Sequence, residues 1–448
     1  MPMKRLSQAA AAGAFTLGLL LAFPAAAQTA PANEQFMPVP SYRVGPYAAG
    51  GTSLYGGFID YLNLINLRDG GINGVKLTWE ECETEYKADK GVECYERLKK
   101  KGPTGASMFH FYSTAIAYAV LDRAEQDKVP LVTIGHGRTD SADGRVFPYV
   151  FPLVTNYWSL NTDIVKFIGL RSGGMDKLQG KKIVHLYLDV PYGKEPNEIF
   201  QKQAAIYGFE AKLVPVPAPG TEQQSQWLEI RQFQPDWVIV TGWGVMNPTM
   251  LKSAQRAGFP RDRIVGNFWT GSEEDTVPAG EAAVGYISAA INPAGTEFPV
   301  IQEIEKVVYA KGVGNMTDRS RVGSIYYNRG VMTGIISVEA IRTAQTKYGK
   351  KPLTGEQLRW GLENLNLDEK RIAELGATGL IQPLKVSCSD HEGGGAAKFQ
   401  QWDGKKFKVI SDWIQPDRKL VREMIEASSG KYAQEKSKPV RDCAKGAG

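Results

Sequence analysis

The chain has 448 residues, of which 43% are hydrophobic and 23% charged, values typical of a soluble globular protein with two or three domains. Its formal net charge of +5 is too small for a nucleic-acid-binding surface, and no dense Lys/Arg run provides one. Composition therefore excludes nucleic acid from the expected partners.

The N-terminus has the pattern of a cleaved signal peptide. Lys4 and Arg5 form the positive start, residues 9–23 the apolar run, and residues 25–27 the small-residue cleavage site. The alternative, a membrane anchor, fits poorly because the run is short and rich in alanine. We expect residues 1–27 to be removed, which lowers the net charge to +3, and the mature protein to be free in the periplasm.

The next stretch predicts a ligand crevice. Residues 28–41 are rich in Pro and Ala, and we expect a flexible segment. Residues 42–48 predict a strand, 49–53 a Gly-rich turn, and a helix of about four turns follows. Such a junction lies at the carboxyl end of the strands, where helix N–H groups suit an anion. Neither GxGxxG nor GxxxxGK[ST] occurs here, so the stretch predicts a carboxylate site and no nucleotide cofactor.

Beyond this unit, strand and helix patterns alternate. Strands are predicted at 74–81, 106–111, 129–134, 181–188, 210–215, 236–240 and 264–269. The short connections indicate parallel sheets with right-handed crossovers, and two successive series indicate two similar lobes. Residues 300–364 are mainly helical, and Asp403-Gly404 between alternating residues predicts a hairpin at 398–411. Residues 415–448 read as a charged tail with a short helix at 419–426.

Four cysteines remain in the chain: Cys82, Cys94, Cys388 and Cys443. An even number in an oxidising compartment favours two disulfides. Proximity in sequence favours Cys82–Cys94 and Cys388–Cys443, although four cysteines allow three pairings. A zinc site is the weaker interpretation because no CxxC pair occurs, and we expect no metal.

Several short motifs follow one another in a specific order, although each is weak alone. They are Gly50–Gly57 with Tyr55, the DGGING turn from Asp69, Ser113-Thr114, Val129-Pro130-Leu131, Phe147–Phe151, Tyr192-Gly193-Lys194 and Gly376–Leu380. Their order and spacing from about residue 42 to 413 resemble the periplasmic solute-binding proteins of ABC importers, of the branched-chain amino acid (leucine/isoleucine/valine) type.

The resemblance implies a type I periplasmic binding protein fold, an α/β architecture of two Rossmann-like lobes that close over a ligand about a three-segment hinge. Lobe 1 would comprise residues 42–154 and 293–375. Lobe 2 would comprise residues 155–292 and 376–414, and residues 415–448 would form the C-terminal tail. The expected partners are a small carboxylate or amino acid and the permease and ATPase of the importer, with the protein itself a monomer.

The resemblance also implies ligand-binding positions. The ligand carboxylate would be held by Ser113, Thr114 and the loop 135–137, which contains His136 and Gly137. Tyr55 would pack on the ligand side chain, and Tyr192 and Trp243 would close over it from the other lobe. In the family Cys82 has a partner whose position here is occupied by Tyr112.

One position departs from the family. An acidic residue that binds the ligand ammonium is replaced by Trp269 in our alignment, with Glu273 and Glu274 one turn further on. A buried ammonium without a counter-charge costs several kcal/mol. With Tyr112 also near the site, the sequence predicts an aromatic or hydrophobic acid, whose carboxylate would meet His136 and Arg138.

Plainer interpretations stand beside these. Ser113 can be only a helix N-cap, and His136 and Arg138 can be solvated loop residues. Residues 273–274 are expected to be surface acids. Asp390-His391-Glu392 looks like a metal cluster, but adjacent residues in a turn seldom converge on one ion, so we interpret it as structural.

The residue types in the sequence also fit two rival functions in part. A hydrolase would need a nucleophile, a base and an acid in one cleft, and Ser113, His136 and Asp140 lie on neighbouring loops. No GxSxG motif occurs, and a helix-capping serine is a poor nucleophile, so we expect binding without catalysis. The second rival is a receptor subunit that senses an amino acid or amide without transport, which would need a separate partner chain.

Overall fold

The computed structural model describes residues 33–445, so the predicted signal peptide lies outside the described residues. The strands are β1 Glu34–Ser41, β2 Lys76–Glu83, β3 Leu131–Val132, β4 Val150–Phe151, β5 Lys182–Leu188, β6 Glu210–Val216, β7 Trp237–Thr241, β8 Ile264–Gly266, β9 Ile287–Ala290, β10 Asn366–Leu367, β11 Leu384–Lys385, β12 Lys398–Trp402 and β13 Phe407–Val409. The α-helices are α1 Ala48–Asp69, α2 Ala88–Leu98, α3 Thr114–Gln126, α4 Tyr157–Arg171, α5 Pro191–Lys194, α6 Asn197–Tyr207, α7 Gln224–Phe233, α8 Met246–Arg256, α9 Glu273–Thr276, α10 Pro299–Glu303, α11 Ile325–Tyr348, α12 Gly355–Glu363, α13 Glu369–Glu374 and α14 Arg418–Glu435.

The first strand corrects the expectation of a flexible segment for residues 34–41, the part of 28–41 that forms β1. β1 is buried along most of its length and pairs in parallel with β2. Phe36 O accepts a hydrogen bond from Ser107 N at 3.0 Å, on the side away from β2. Because strand geometry repeats every two residues, Pro38 and Pro40 turn their missing N–H groups to that same side. The prolines that indicated disorder therefore leave the pairing with β2 intact.

The Gly-rich stretch corrects a second expectation. Residues 49–53 belong to α1, and residues 42–48, predicted as a strand, are mostly a turn that leads into this helix. A Cβ atom on Gly57 would lie 2.0 Å from Tyr327 O in α11. Gly330 of α11 approaches α1 equally closely. Glycine is needed at these two positions because the backbones of α1 and α11 nearly touch there. Gly57 and Gly330 therefore allow close packing of the two helices.

Seven strands form the largest sheet of the described residues, in the order β13-β12-β9-β8-β7-β5-β6. The strands β5 to β9 are parallel, which confirms the prediction from the strand–helix alternation. β12 is antiparallel to both β9 and β13, and this hairpin was also predicted. We call the seven-stranded sheet with α4–α9 the second lobe, and β1–β4, β10 and β11 with α1–α3 and α10–α13 the first lobe.

The C-terminal region contains more structure than predicted. α14 has 18 residues, whereas the sequence indicated a short helix at 419–426. Its N-terminus is capped by the Asp417 side chain, which accepts a hydrogen bond from Leu420 N at 3.1 Å. An apolar stripe packs α14 onto the body through Leu420, Val421, Met424 and Ile425. The charged residues between these positions concealed the stripe, which follows helical spacing.

Two disulfides connect the cysteines, Cys82–Cys94 and Cys388–Cys443, the pairing that sequence proximity favoured. The first joins β2 to α2, and the second ties the C-terminal end to the segment after β11. No cysteine of the described residues is free. None of the described helices combines the length and the apolar content needed to cross a membrane.

A buried ion-pair cluster reinforces the second disulfide. His391 stacks on Phe151 with ring centroids 4.0 Å apart, and its Nε2 lies 3.5 Å from Glu363 Oε1. Arg441 Nη1 donates to the same Glu363 oxygen at 2.6 Å. Burial alone would raise the pKa of the Glu363 carboxyl, but His391 and Arg441 outweigh burial and hold it at about 2. His391 is thus a structural residue, as interpreted from sequence.

We predict that Glu363→Gln destabilises the protein at neutral pH and much less in acid. The folded pKa lies below the ordinary value of 4.5, so the stabilisation is complete above about pH 4.5 and is lost as pH falls through about 2. The change in pKa corresponds to at most about 3 kcal/mol. Urea unfolding between pH 7 and pH 3 measures this difference, with the exposed Glu369→Gln as matched control. A difference that stays constant over this range would contradict the prediction.

Candidate ligand-binding site

A small cavity of about 10 Å³ lies between the two lobes, far smaller than the roughly 300 Å³ at the lower end for common ligand pockets, so a solute can enter only if the lobes move apart. Eight side chains line it: Tyr86, Tyr112, Thr114, His136, Tyr157, Tyr192, Trp243 and Trp269. Six are aromatic rings, one is an imidazole and one is a hydroxyl. The wall therefore contains no carboxylate, ammonium or guanidinium group.

The topology brings these side chains together because they follow the ends of strands. In the second lobe, Tyr192, Trp243 and Trp269 come shortly after the carboxyl ends of β5, β7 and β8. In the first lobe, Tyr86 follows β2 and His136 follows β3. The carboxyl edges of parallel strands are the usual location of a ligand in α/β folds.

The rings of the wall contact one another. The centroid of Trp269 lies 5.4 Å from that of Trp243, 6.1 Å from that of Tyr112 and 6.2 Å from that of His136. All three pairs are close to perpendicular, an arrangement that aromatic quadrupoles favour. The contacts with Tyr112 and His136 cross between the lobes, and the three contacts together join the wall into one aromatic cluster.

Hydrogen bonds also link the lobes at the cavity. Trp269 Nε1 donates to Gly135 O at 2.9 Å. The hydroxyls of Thr114 in the first lobe and Tyr157 in the second lie 3.1 Å apart. Within the first lobe, Gly137 N donates to Thr114 Oγ1 at 3.1 Å. Since these partners are buried, each bond fixes the relative position of the loops that carry it.

Two polar atoms of the wall have no hydrogen-bond partner among the described residues: His136 Nε2 and Trp243 Nε1. Their side chains are 4% and 3% exposed. The other ring nitrogen of His136, Nδ1, lies 3.1 Å from Ile134 O. Burial lowers the pKa of His136 to about 4, so the ring is neutral at pH 7.

The structure brings together six of the ten predicted ligand residues, namely Tyr112, Thr114, His136, Tyr192, Trp243 and Trp269. Gly137 takes part through its backbone N–H to Thr114. Ser113 is the N-cap of α3 and accepts a hydrogen bond from Ile116 N at 3.4 Å. Its role at a ligand stays a prediction.

Tyr55 and Arg138 lie elsewhere. Tyr55 is fully buried, and its hydroxyl donates to Pro40 O at 2.7 Å, where it ties α1 to the end of β1. Arg138 donates to both carboxylate oxygens of Asp140, and its guanidinium lies 4.3 Å from the ring centroid of Tyr432. Arg138 is thus engaged with a neighbouring carboxylate and with α14, and it does not line the cavity.

Sequence reasoning missed Tyr86 and Tyr157. Tyr157 is the first residue of α4, directly after the N-cap Asn156, so its place at a crossover gave a usable signal. Tyr86 adopts a positive φ of 61° after β2, a conformation uncommon for a bulky residue, and nothing in the sequence marked it.

A buried arginine behind the cavity was also missed. Arg329 of α11 is 0% exposed, and its guanidinium lies 4.7 Å from the ring centroid of Trp269. Its Nη1 donates to Phe268 O at 2.8 Å and its Nε to Asn292 Oδ1 at 3.0 Å. Burial lowers the pKa of Arg329 to about 10, so it stays charged and supports Trp269 from the side of the first lobe.

The acids expected at the surface are only partly exposed and are engaged in contacts between the lobes. Glu274 is 6% exposed in its side chain and accepts hydrogen bonds from Ser53 Oγ at 2.5 Å and Ser324 Oγ at 2.9 Å. It also pairs with Arg321 at 3.0 Å. Glu273 Oε2 accepts a hydrogen bond from Ile325 N at 3.0 Å. These glutamates of α9 connect the second lobe to α1 and to the start of α11.

The hydrolase triad does not assemble. Ser113 Oγ caps α3, Asp140 pairs with Arg138, and His136 Nδ1 faces the backbone of Ile134. Each of the three groups is therefore engaged with a different neighbour. Within residues 33–445, no group of three His, Cys, Asp or Glu side chains could hold a metal ion.

Comparison with known proteins agrees with this architecture. The periplasmic binding protein family matches residues 34–407. A crystal structure described as an ABC transporter permease from the Pseudomonas fluorescens group is 48% identical, with 92% of this chain and 99% of that chain covered and a TM-score of 0.86.

More distant structures share the fold. A branched-chain amino acid ABC transporter from Thermus thermophilus with bound valine is 18% identical, with 88% and 99% of the two chains covered and a TM-score of 0.73. An ABC transporter solute-binding protein from R. palustris in complex with benzoate is 17% identical, with 86% and 97% covered and a TM-score of 0.66. No curated protein matches the chain. The chain belongs to the periplasmic binding protein family and is a solute-binding protein with the type I fold, as its motifs indicated.

Proposed function

We propose that this protein captures a small solute with an aromatic or similarly hydrophobic body between its lobes and delivers it to the permease and ATPase of an ABC importer. The observation that carries the proposal is the shared cavity wall. Tyr112, Thr114 and His136 come from the first lobe, and Tyr192, Trp243 and Trp269 from the second. A solute bound there would contact both lobes and stabilise their closed arrangement.

The wall chemistry supports an apolar ligand body. Tyrosine and tryptophan rings offer large apolar faces, and stacking on them contributes about 0.5–1.5 kcal/mol per ring pair beyond burial. Proteins of the same fold are described with bound valine, benzoate and 4-hydroxybenzoate, and another as a fatty acid binder. Each of those ligands carries an apolar body, and this supports the proposed class.

We further propose that the protein works outside the cytoplasm, as a monomer. The support is the predicted signal peptide at 1–27 together with the two disulfides, which persist in oxidising compartments. The family consists of extracytoplasmic binding proteins, which agrees with this location.

The hinge is proposed at three chain crossings. Two were predicted at 154/155 and 292/293. The third was predicted at 375/376, but β11 pairs with β10 of the first lobe, so we move this crossing to about 392–397. Val154 N donates to Glu392 O at 2.9 Å, and Gly395 N to Val154 O at 2.7 Å. Adjacent crossings joined in this way would bend together.

Glu274 is proposed to hold the closed state. Ser53 belongs to α1 of the first lobe and Glu274 to α9 of the second, so their hydrogen bond must break when the lobes separate. The bond is charge-assisted and largely buried, and such bonds contribute about 1.5–3 kcal/mol. The same carboxylate is neutralised by Arg321, which removes the penalty for burying it unpaired.

We predict that Trp269→Ala abolishes most solute binding. The test is a thermal-shift panel of amino acids, aromatic acids, alcohols and amides. A ligand at a hundredfold excess over its Kd stabilises the wild type by about 2.7 kcal/mol. Loss of a buried aromatic anchor should weaken affinity about 30-fold or more.

The matched control is Trp413→Ala, which removes a tryptophan that is 38% exposed and outside the cavity. It should bind as the wild type does. If Trp269→Ala and Trp413→Ala bind the same solute equally well, the site is elsewhere. If no solute of the panel stabilises the wild type, the proposed function itself fails.

We predict that Glu274→Gln speeds ligand release about tenfold. The substitution keeps the size of the side chain but removes the negative charge that Ser53 and Arg321 contact. Stopped-flow tryptophan fluorescence measures the dissociation rate of whichever solute the panel identifies. Glu281→Gln is the control because Glu281 is exposed on the same lobe. Equal release rates for the Glu274→Gln variant and the wild type would contradict the proposed role of Glu274 in holding the closed state.

A further inference from the structure

We propose that the cavity selects an uncharged solute that carries a hydrogen-bond donor, such as a hydroxyl or an amide N–H, over a carboxylate of the same size. This inference rests on the proposed function, because it assigns the ligand of the cavity described above. The proposed ligand class differs from the aromatic or hydrophobic acid that the sequence predicted. The reason is that most polar atoms of the cavity wall already have hydrogen-bond partners within the protein.

The first step is the state of His136. Its Nδ1 lies 3.1 Å from Ile134 O, and a carbonyl oxygen can only accept, so Nδ1 carries the proton. In a neutral imidazole the other nitrogen then has a lone pair and can only accept. Nε2 of this ring is buried in the wall and has no partner among the described residues. A ligand group that satisfies it must be a donor.

The remaining polar groups of the wall are engaged. Trp269 Nε1 donates to Gly135 O, and Tyr192 OH donates to Gly242 O at 2.9 Å. Thr114 contacts Tyr157 and the loop backbone. Among the fully buried polar atoms of the described wall residues, Trp243 Nε1 is the one donor without a partner, and it can serve a ligand oxygen. Together with His136 Nε2 it offers one acceptor and one donor, the pair that a hydroxyl or an amide satisfies.

A carboxylate fits this pair poorly. Ionised, it has only acceptors, so one of its oxygens would face the lone pair of His136 Nε2 or leave that atom unsatisfied. Protonation of His136 would remove the conflict, but burial lowers its pKa to about 4. An anion would therefore enter a wall that holds no cation and would lose its hydration without a replacement.

A buried cation, Arg329, lies behind the ring of Trp269 and does not line the cavity. The guanidinium packs against the ring of Trp269 and lies 5.4 Å from the ring centroid of Tyr326. Tyr326 OH donates in turn to Asp275 Oδ2 at 2.6 Å. Burial raises the pKa of Asp275 to about 7, so this carboxyl compensates Arg329 only in part near neutral pH, and Arg329 Nη2 has no hydrogen-bond partner among the described residues.

Isothermal titration with matched ligand pairs tests the inference directly. Benzyl alcohol and benzamide are compared with benzoate, and 3-methylbutan-1-ol with 3-methylbutanoate, all at pH 7.5. Within each pair the apolar skeleton is similar and the charge differs. We expect the uncharged member to bind at least about tenfold more tightly, which is about 1.4 kcal/mol. Tighter binding of the carboxylates would overturn the inference and would assign anion recognition to Arg329.

His136→Phe is the variant that isolates the acceptor, because it keeps a ring and removes Nε2. It should lose the preference for the alcohol over the acid. His136→Gln, which retains an acceptor oxygen, should keep part of the preference and serves if the phenylalanine variant does not fold. An unchanged preference in His136→Phe would overturn the role of Nε2.

The proposed ligand class and the proposed function can be contradicted separately. If the carboxylates bind better, the cavity remains a solute site and only the ligand class is wrong. If neither member of any pair binds, and the broader panel also gives no response, both the inference and the proposed function fail.

Discussion

The indole of Trp269 is held from both lobes at once. Its N–H donates to Gly135 O at 2.9 Å in the first lobe, and the guanidinium of Arg329, also in the first lobe, lies 4.7 Å from the centroid of its ring. Its backbone belongs to the second lobe, where Trp269 N donates to Asn267 Oδ1 at 2.9 Å. Closure of the lobes and the shape of the cavity therefore depend on the same side chain.

The resemblance of the motifs implies that an acid for a ligand ammonium would stand at the position of Trp269, and this replacement stays a prediction. In this protein the position carries a large ring, and its one polar side-chain atom, Nε1, donates a hydrogen bond to the opposite lobe. The ionisable groups nearby, Arg329 and Asp275, both contact Tyr326 behind the wall. A cavity of this kind discriminates by shape and by single hydrogen bonds, since it offers an ion no counter-charge.

Much of the fold could be predicted from the sequence because parallel sheets have a simple signature. The apolar runs at β5 and β7 are buried on both faces, and helical segments alternate with β6 between them. The cavity residues Trp243 and Trp269 were predictable for the same reason, because they follow strand ends. What the sequence could not supply were contacts between distant segments. A glycine is required at position 57 only because the backbone of Tyr327 in α11 lies directly beside it.

The burial of charged side chains could not be predicted from the sequence for the same reason. Glu274 reads as a surface residue because its neighbours in sequence are polar. Its burial depends on Ser53, which is 221 positions away, and on Arg321, which neutralises it. Arg329 likewise sits in a helix whose other residues are mostly apolar, and its partner Asn292 lies at a chain crossing. Burial of a charge is decided by the partner that three-dimensional structure brings to it.

Helix α14 adds a further constraint on how the lobes can move. Along its second half it forms directional bonds to the first-lobe segment: Ser428 Oγ and Ser429 Oγ donate to Asp140 and Asp143 at 2.7 and 2.8 Å. Its first half contacts Trp158 and Ile199 of the second lobe mainly through apolar side chains.

Hydrogen bonds fail when their geometry changes, whereas apolar contacts have no preferred direction and tolerate sliding. The C-terminal end beyond α14 is also tied down, by the disulfide Cys388–Cys443 and by the pairing of Arg441 with Glu363. Rotation between the lobes is therefore least costly when α14 stays with the first lobe and the second lobe slides beneath its apolar half. The C-terminal region, which looked like a loose tail in the sequence, thereby limits the path along which the cavity can open.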